Sequence, residues 1–256
     1  MRIVDVIKFF AVLNAQNKMR LALYIMVTVF YRLTKIRALA KLNVQVFGIS
    51  YEVTPGHGEL DIIYHTNVLK EYMQLPEFIP AEGALCIDVG ANIGSTALAW
   101  ARISRVRKIF AFEPHPDTYR RLSRNTELNG ATGIIIPRQI AVGDKDGEAR
   151  VFISKEGSMA MRPGIYKWQG SEISCPLITL DTFIKKEHIV SIDILKIDIE
   201  GSEVEALLGS SETLEITKRI VLEYHSVELR DQCKRLLSDH GFQLIERAQL
   251  LFGIRK

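Results

Sequence analysis

The sequence predicts an α/β fold in which helices cover a mostly parallel sheet, with a helical segment in front of it. Three observations lead to this prediction. From Ala84 onward, short apolar runs alternate with helix-like runs, the pattern of parallel strands joined by crossover helices. A glycine-rich run at residues 88–94 follows a buried strand-like run and opens an alanine-rich helix. The last two apolar runs follow each other closely and predict an antiparallel pair.

The elements are expected in alternating order along the chain. Strands are expected at residues 84–89, 108–113, 133–142, 148–154, 192–199, 218–224, 241–246 and 250–254. Helices are expected at residues 95–104, 116–129, 202–208 and 227–240. Pro116 and Gly130 suit the two ends of the second helix. Residues 155–174 are polar and weakly patterned, so they predict a loop or lid.

Composition sets the broad class. The chain has 256 residues, 47% hydrophobic and 25% charged, which suits one globular domain at residues 50–256 behind a helical extension at residues 1–49. Cys86, Cys175 and Cys233 are odd in number and widely spaced, so they predict neither a disulfide framework nor a CxxC metal site. We expect buried thiols in a reducing, cytoplasmic compartment.

Charge is distributed unevenly. Residues 1–41 carry eight Lys or Arg against the single acid Asp5, whereas the rest of the chain carries 25 basic and 29 acidic side chains. A nucleic-acid enzyme needs a basic surface around its site, so this distribution argues against nucleic acid as a partner.

The N-terminal segment contains an apolar run of eleven residues, 21–31, between two arginines. A bilayer-spanning helix needs about 20 apolar residues, so this run is too short to cross a membrane. A signal peptide is also disfavoured, because Arg32, Lys35 and Arg37 precede the cleavage-like Ala38. Two interpretations stay open. The segment packs on the domain or on a second subunit of an oligomer, or residues 1–41 make peripheral contact with a membrane.

The glycine-rich run has the form Asp88-x-Gly90-x-Asn92-x-Gly94. Gly90 permits a tight turn and close backbone approach, and Gly94 lets the next helix start against the sheet. Asn92 tolerates a positive φ angle better than most residues. A nicotinamide fingerprint would have glycines at positions 92 and 95, and a phosphate-binding P-loop would need a Gly-Lys pair, which the sequence lacks.

Glu113 lies 25 residues after Asp88, at the end of the second expected strand. A carboxylate there can accept hydrogen bonds from both ribose hydroxyls of a nucleotide-like ligand. Ligands of open α/β sheets bind outside the carboxyl ends of the strands, so the glycine turn and Glu113 should face one ligand.

Five further segments occur in a fixed order: DVGANIG from Asp88, FEP from Phe112, AVGD from Ala141, LKIDIEGSE from Leu195 and LEYH from Leu222. With them the chain resembles the FkbM-type methyltransferases over residues 56–226. The stretch from Gly58 to Asp61 and Tyr72 look like the lead-in of that family. The resemblance implies a Rossmann-like class I methyltransferase domain, whose seven-stranded sheet has six parallel strands and one antiparallel strand.

The resemblance also implies S-adenosylmethionine as the cofactor and methylation of a hydroxyl on a glycan, glycolipid or secondary metabolite. The residues expected to bind the cofactor are Asp88, Gly90, Asn92, Gly94, Glu113, Val142 and Asp198. Other acceptors of the same fold, a nitrogen or a carboxylate, stay open. So does a non-catalytic binding module that retains the turn, because a fold alone does not prove function.

Candidate catalytic residues lie at two strand ends. His225 is the first choice for a general base, because its ordinary pKa leaves it neutral at neutral pH. Strand alternation places Glu223 on the same face as His225 and turns Tyr224 to the other face. Asp198 is expected to orient the acceptor, bind the cofactor or ligate a metal.

The sequence leaves open whether the site also binds a divalent metal. Asp198, Glu200 and Glu223 could supply carboxylate oxygens to it, whereas the histidines lack the HExxH spacing of a zinc site. Lys196 shares a strand face with Asp198 by alternation, so we expect it to be a structural ion-pair partner.

Overall fold

The computed structural model describes residues 41–54, 58–154, 159–160 and 170–255, together with six single helical residues between positions 16 and 26. The basic segment at residues 1–41 therefore lies almost entirely outside the described residues, and its predicted packing or membrane contact stays a prediction. Where helices are described, none is both long and apolar enough to cross a bilayer.

Thirteen strands and seven α-helices occur in the described residues. The strands are β1 Leu42–Val46, β2 Ile49–Val53, β3 Leu85–Val89, β4 Lys108–Phe112, β5 Ile135–Arg138, β6 Ala141–Val142, β7 Gly147–Ser154, β8 Met159–Ala160, β9 Gly170–Ile178, β10 Ile194–Ile197, β11 Arg219–Glu223, β12 Phe242–Arg247 and β13 Leu250–Arg255. The helices are α1 Glu59–Asn67, α2 Ser95–Ile103, α3 Pro116–Leu128, α4 Leu180–Lys186, α5 Glu203–Leu208, α6 Ser211–Glu215 and α7 Val227–Asp239. Two short 3-10 helices, Glu71–Met73 and Pro76–Phe78, lie between α1 and β3.

The central sheet has seven strands in the order β12-β13-β11-β10-β3-β4-β5. The pairs from β11 through β5 are parallel, and β13 is antiparallel to both of its neighbours. Six strands thus run one way and β13 runs the other. This confirms the predicted Rossmann-like α/β fold, its seven-stranded sheet and the antiparallel pair that closes the chain.

Helices cover both faces of this sheet because its strands are apolar on both sides. Along β3, Cys86 enters one core cluster, with side chains of α1, α2 and α3. Ile87 and Val89 enter the other cluster, with side chains of α4 to α7. The three cysteines are buried and free, as predicted.

A hairpin that the sequence did not predict packs beside the sheet. Strands β1 and β2 pair antiparallel. Asn125 of α3 and Asn129, which follows that helix, accept hydrogen bonds from the amides of Glu52 and Ser50 at 2.7 and 2.8 Å. The expected domain boundary between residues 49 and 50 falls within β2, and both strands contribute to one core cluster. The boundary itself stays a prediction.

A second sheet, in the order β6-β9-β7-β8, corrects two predictions. The single strand expected at residues 133–142 is instead two strands in different sheets. Strand β5 is the edge strand of the central sheet and ends at Arg138, and β6 belongs to the second sheet. The loop expected at residues 155–174 was wrong at residues 159–160, which form β8 and pair with β7, and at its end, because β9 starts at Gly170 and pairs along β7. Residues 155–158 and 161–169 lie outside the described residues.

Candidate active site

The glycine turn joins β3 to α2 at the carboxyl edge of the sheet. Gly90, Asn92 and Gly94 all have positive φ angles, 79°, 51° and 86°. The amides of Gly90 and Ala91 donate to the carbonyl of Phe112, which fixes the turn to the end of β4. The expected positive φ of Asn92 is therefore confirmed.

Gly90 also lies against the end of β10. A Cβ atom placed on Gly90 would lie 1.7 Å from the backbone oxygen of Asp198, a distance that excludes any side chain. A Cβ on Gly94 would lie 2.7 Å from Cδ1 of Leu122, so the close approach there is to α3 rather than to the sheet. The turn therefore has direct backbone contact with the strand end that carries Asp198.

Glu113 follows β4 and is 1% exposed. Its Oε2 accepts a hydrogen bond from the amide of Asn92 at 3.0 Å, and its Oε1 accepts one from the amide of His115 at 2.9 Å. Burial raises the pKa of Glu113 to about 7, against the effect of these two bonds. The carboxylate thus joins the glycine turn to the end of β4, and each oxygen keeps a second lone pair for a ligand hydroxyl. The predicted ribose contact stays a prediction.

Lys196 connects the turn to the acids beyond it. Its buried Nζ lies 3.1 Å from Oδ1 of Asp88 and donates to the carbonyl of Gly90 at 2.8 Å. The same Nζ lies 3.6 Å from Oδ2 of Asp198. Burial would lower the pKa of Lys196, but the carboxylates of Asp88 and Asp198 raise it. The expected ion pair of Lys196 is therefore present.

Val142, also expected at the cofactor, is the last residue of β6 and is buried. It belongs to the same core cluster as Val89 and Phe112, which end β3 and β4. Its role at the cofactor stays a prediction.

The backbone beyond β10 differs from the sequence prediction. The strand ends at Ile197, not at residue 199, and Glu200 has a positive φ of 54°. Simple alternation therefore does not carry through to Glu200. Its carboxylate is still near the site, with Oε2 3.5 Å from Nε2 of His225.

Asp198, Glu223 and His225 lie close together beyond the ends of β10 and β11, and their catalytic role stays a prediction. Tyr224 points away from them, and its hydroxyl oxygen lies 2.8 Å from Oε1 of Glu246 and 2.9 Å from the carbonyl oxygen of Ala248, on the other side of β11. The hydroxyl of Tyr72 contacts two of the acids, with its oxygen 2.9 Å from Oδ2 of Asp198 and 2.9 Å from Oε2 of Glu223.

His225 is held by a buried acid. Its Nδ1 lies 2.8 Å from Oε1 of Glu203, and its Nε2 lies 3.8 Å from Oδ1 of Asp198. Burial alone would lower the pKa of His225, but the hydrogen bond and charge of Glu203 outweigh it and, with two further acids, raise it to about 9. The expectation of a neutral imidazole at neutral pH was therefore wrong, because the sequence did not reveal the acids around it.

Glu223, unlike His225, has a pKa near neutrality. Burial raises the pKa of Glu223 to about 7, and the charges of Asp198 and Glu71 add to this effect. A carboxylate whose pKa lies near neutrality is both available and basic enough to take a proton from a hydroxyl as it reacts. The environment therefore favours Glu223 over His225 as the general base.

The structure brings candidate metal ligands together, but whether they bind a metal stays a prediction. Asp198, Glu223 and His225 each present one ligand atom, and these atoms lie within 4.8 Å of one another. The predicted set had Glu200 in place of His225. Since Tyr72 and Lys196 already contact oxygens of these acids, we assign no ion to the group.

Sequence reasoning did not foresee two contacts of this site. Tyr72 lies 126 residues before Asp198, and no spacing rule relates them; the only signal was its place in the lead-in stretch. Glu203 is not among the residues predicted for the site, and it contacts His225 where α5 packs against α7.

Comparison with known proteins gives one family and several relatives. Residues 88–244 match the family model described as the methyltransferase FkbM domain. The hexuronic acid methyltransferase AglP of Haloferax volcanii is 32% identical over 152 residues, which are 58% of this chain and 59% of that protein. The 2-O-methyltransferase NoeI of Sinorhizobium fredii is 27% identical over 180 residues, 64% of this chain and 72% of that protein.

Among solved structures, the methyltransferase FkbM from Methylobacillus flagellatus is 16% identical with a TM-score of 0.49, over 76% of this chain and 53% of that one. The chain therefore spans less than two thirds of the length of AglP and of this solved structure.

Proposed function

The chain belongs to the FkbM methyltransferase family, and we propose that it transfers the methyl group of S-adenosylmethionine to a hydroxyl oxygen of a glycan, glycolipid or other secondary metabolite. The observation that carries the proposal is the backbone contact between Gly90 and Asp198. It puts the glycine turn and the acid cluster at one edge of the sheet, so a donor held at the turn and an acceptor held at the acids are neighbours.

The residues of the turn fit an adenosine-type cofactor. Gly90 lets the turn pack directly against the backbone of Asp198, and Glu113 offers carboxylate lone pairs at the end of β4. We assign seven residues to cofactor binding: Asp88, Gly90, Asn92, Gly94, Glu113, Val142 and Asp198. When bound, the cofactor would supply a methyl group on a sulfonium sulfur, and the neutral thioether would leave as the acceptor oxygen attacks the methyl carbon in line.

We assign the proton transfer to Glu223. The acceptor hydroxyl loses its proton to the Glu223 carboxylate as its oxygen bonds to the methyl carbon. Asp198, whose Oδ2 lies 3.6 Å from Nζ of Lys196, accepts a hydrogen bond from the acceptor or from the cofactor amino group. His225, cationic through Glu203, offsets part of the negative charge of the acids. It is a positioning residue in this assignment rather than the base.

Two relatives, a hexuronic acid methyltransferase and a 2-O-methyltransferase, support an oxygen acceptor on a sugar. The alternative is a nitrogen or carboxylate acceptor on the same fold. A nitrogen acceptor would enter the cluster as an amine, and a carboxylate acceptor would place one more negative charge among Asp198, Glu200 and Glu223. The acid-rich cluster therefore favours a hydroxyl over a carboxylate.

The test is a product assay with methyl-deuterated S-adenosylmethionine and a panel of hydroxyl, amine and carboxylate acceptors, read by mass spectrometry. A deuterated methyl ether, lost in Glu223→Gln and retained in Glu215→Gln, supports the proposal. Methylation found only on nitrogen or carboxylate would replace it. Proton transfer to a carboxylate needs no metal, so we expect activity to survive EDTA; loss of activity that Mg²⁺ restores would instead assign a metal to the acid cluster.

A further inference from the structure

Tyr72 belongs to a part of the chain that the family model does not cover, since the match begins at residue 88. The 3-10 helix Glu71–Met73 carries its phenol into the site, where the ring is buried. Nζ of Lys196 lies 5.0 Å from the centre of that ring. The ring is therefore fixed by packing and by a cation–π contact that do not depend on its hydroxyl.

The hydroxyl oxygen lies 2.9 Å from an oxygen of Asp198 and 2.9 Å from an oxygen of Glu223. A phenol has one hydrogen and can donate it to one carboxylate at a time or share it between both. Burial, followed by the charges of these two acids, raises the pKa of Tyr72 well above its ordinary value, so the hydroxyl keeps its hydrogen. Tyr72 is thus a permanent donor between two acids.

The hydrogen bond from Tyr72 matters for Glu223 because of the charges around that carboxyl group. The charged or titratable groups that act on Glu223 from the elements packed against it are Glu71, Tyr72, Lys196, Asp198 and His225. Among these, two acids oppose a second negative charge, and Tyr72 is the neutral group that donates a hydrogen bond directly to Glu223.

We infer that Tyr72 is the positioning residue of the acceptor-side base: its hydroxyl holds Asp198 and Glu223 on one oxygen and stabilises both as carboxylates before methyl transfer. The inference rests on the proposed function, in which Glu223 takes the acceptor proton. It extends the working site beyond the family-matched residues to the segment upstream of β3.

The proton balance is closed within these groups. The acceptor O–H bond breaks as the C–O bond forms, its proton passes to the Glu223 carboxylate, and the electrons of the methyl–sulfur bond stay on sulfur. Once Glu223 is protonated, the phenolic hydrogen can turn fully to Oδ2 of Asp198, the oxygen that also lies 3.6 Å from Nζ of Lys196.

Tyr72→Phe isolates the hydroxyl, because the ring and its contact with Lys196 remain. Without the phenol, the carboxylates of Asp198 and Glu223 lose their common donor. We expect the pKa of Glu223 to rise from about 7 by roughly one further pH unit, the size of one charge-assisted hydrogen bond. Tyr224→Phe is the matched control, since the Tyr224 hydroxyl bonds Glu246 on the opposite side of β11.

The experiment is a carbon-13 NMR titration of protein labelled at the glutamate carboxyl carbon, with the Glu223 signal assigned from Glu223→Gln. A higher midpoint in Tyr72→Phe, with Tyr224→Phe unchanged, supports the inference. A midpoint equal to or below that of the unmodified protein overturns it. If Tyr72→Phe does not fold, 3,5-difluorotyrosine at position 72, a stronger donor, should lower the midpoint, and no change would overturn the inference in the same way.

Cofactor binding separates this inference from the proposed function. Each variant is also titrated with S-adenosylhomocysteine by calorimetry, and we expect Tyr72→Phe to bind it as the unmodified protein does. Failure of the unmodified protein to bind would contradict the proposed function while leaving the NMR result readable. Once an acceptor is known, Tyr72→Phe should lower kcat at neutral pH, and kcat should recover at higher pH. The KM for the cofactor should stay unchanged.

Discussion

His225 and Glu203 form a buried pair in which Nδ1 of the imidazole lies 2.8 Å from Oε1 of the carboxylate. Glu203 is fully buried, and the same oxygen accepts a hydrogen bond from the amide of Gly201 at 2.9 Å. The pair fixes the ring so that Nε2 faces Asp198 and Glu200. A histidine held in this way is a fixed positive charge beside the acids, which is why the base is assigned to Glu223.

Glu203→Gln should bring the pKa of His225 back towards the ordinary value for histidine. The variant removes the acid that most strongly favours the imidazolium, so the pKa of His225 should fall from about 9 towards about 6.5. A proton–carbon NMR titration of the imidazole measures this directly. Glu215→Gln, on the exposed side of α6, is the control and should leave the His225 midpoint in place; an unchanged midpoint in Glu203→Gln would mean that Glu203 does not set it.

His225 should also contribute stability that depends on pH. Its pKa is raised on folding, so its contribution is fully present below the unfolded value of about 6.5 and is lost as the pH rises through about 9. Denaturant unfolding of the unmodified protein and of His225→Gln should therefore differ more at acid pH than at alkaline pH. A difference that grows with pH would contradict the imidazolium assignment.

Gly90→Ala should abolish cofactor binding through a steric clash rather than through backbone strain alone. The added Cβ would overlap the backbone oxygen of Asp198. Gly241→Ala is the matched control, with φ at 80° against 79° for Gly90 and nothing within 4 Å of its Cβ. The control should lose about 1–2 kcal/mol of stability from the left-handed backbone and bind S-adenosylhomocysteine normally. Equal effects of the two substitutions in calorimetry and thermal unfolding would refute the close contact.

Glu113→Ala should weaken S-adenosylhomocysteine affinity by about tenfold or more, the worth of a hydrogen bond to a charged partner. Because burial raises the pKa of Glu113 to about 7, affinity should also improve as the pH rises through neutrality and the carboxyl ionises. Calorimetry between acid and alkaline pH measures both effects. Glu127→Ala, at the exposed end of α3, is the control, and affinity that is independent of both Glu113 and pH would remove Glu113 from the cofactor site.

The sequence predicted what depends on local spacing. The glycine turn, the place of Glu113 and the alternation that separates Glu223 from Tyr224 follow from neighbouring residues, and each lies where it was expected. What it missed depends on long-range packing. The contacts of Tyr72 with Asp198 and of Glu203 with His225 join residues from different elements, and no periodicity encodes them.

The same reason explains the error over His225. An imidazole takes its charge from the groups around it, and those groups come from α5 and from the turn between β10 and α5. The division of residues 133–142 between two sheets was hidden likewise, because an apolar run does not reveal where a chain leaves a sheet edge.

Calorimetric titration of the protein with S-adenosylhomocysteine tests the central claim most directly. We predict saturable binding at one site per chain that Gly90→Ala abolishes, Glu113→Ala weakens and Gly241→Ala leaves intact. No heat of binding over a wide concentration range, together with no stabilisation against thermal unfolding, would contradict the assignment of the turn at Asp88–Gly94 to this cofactor.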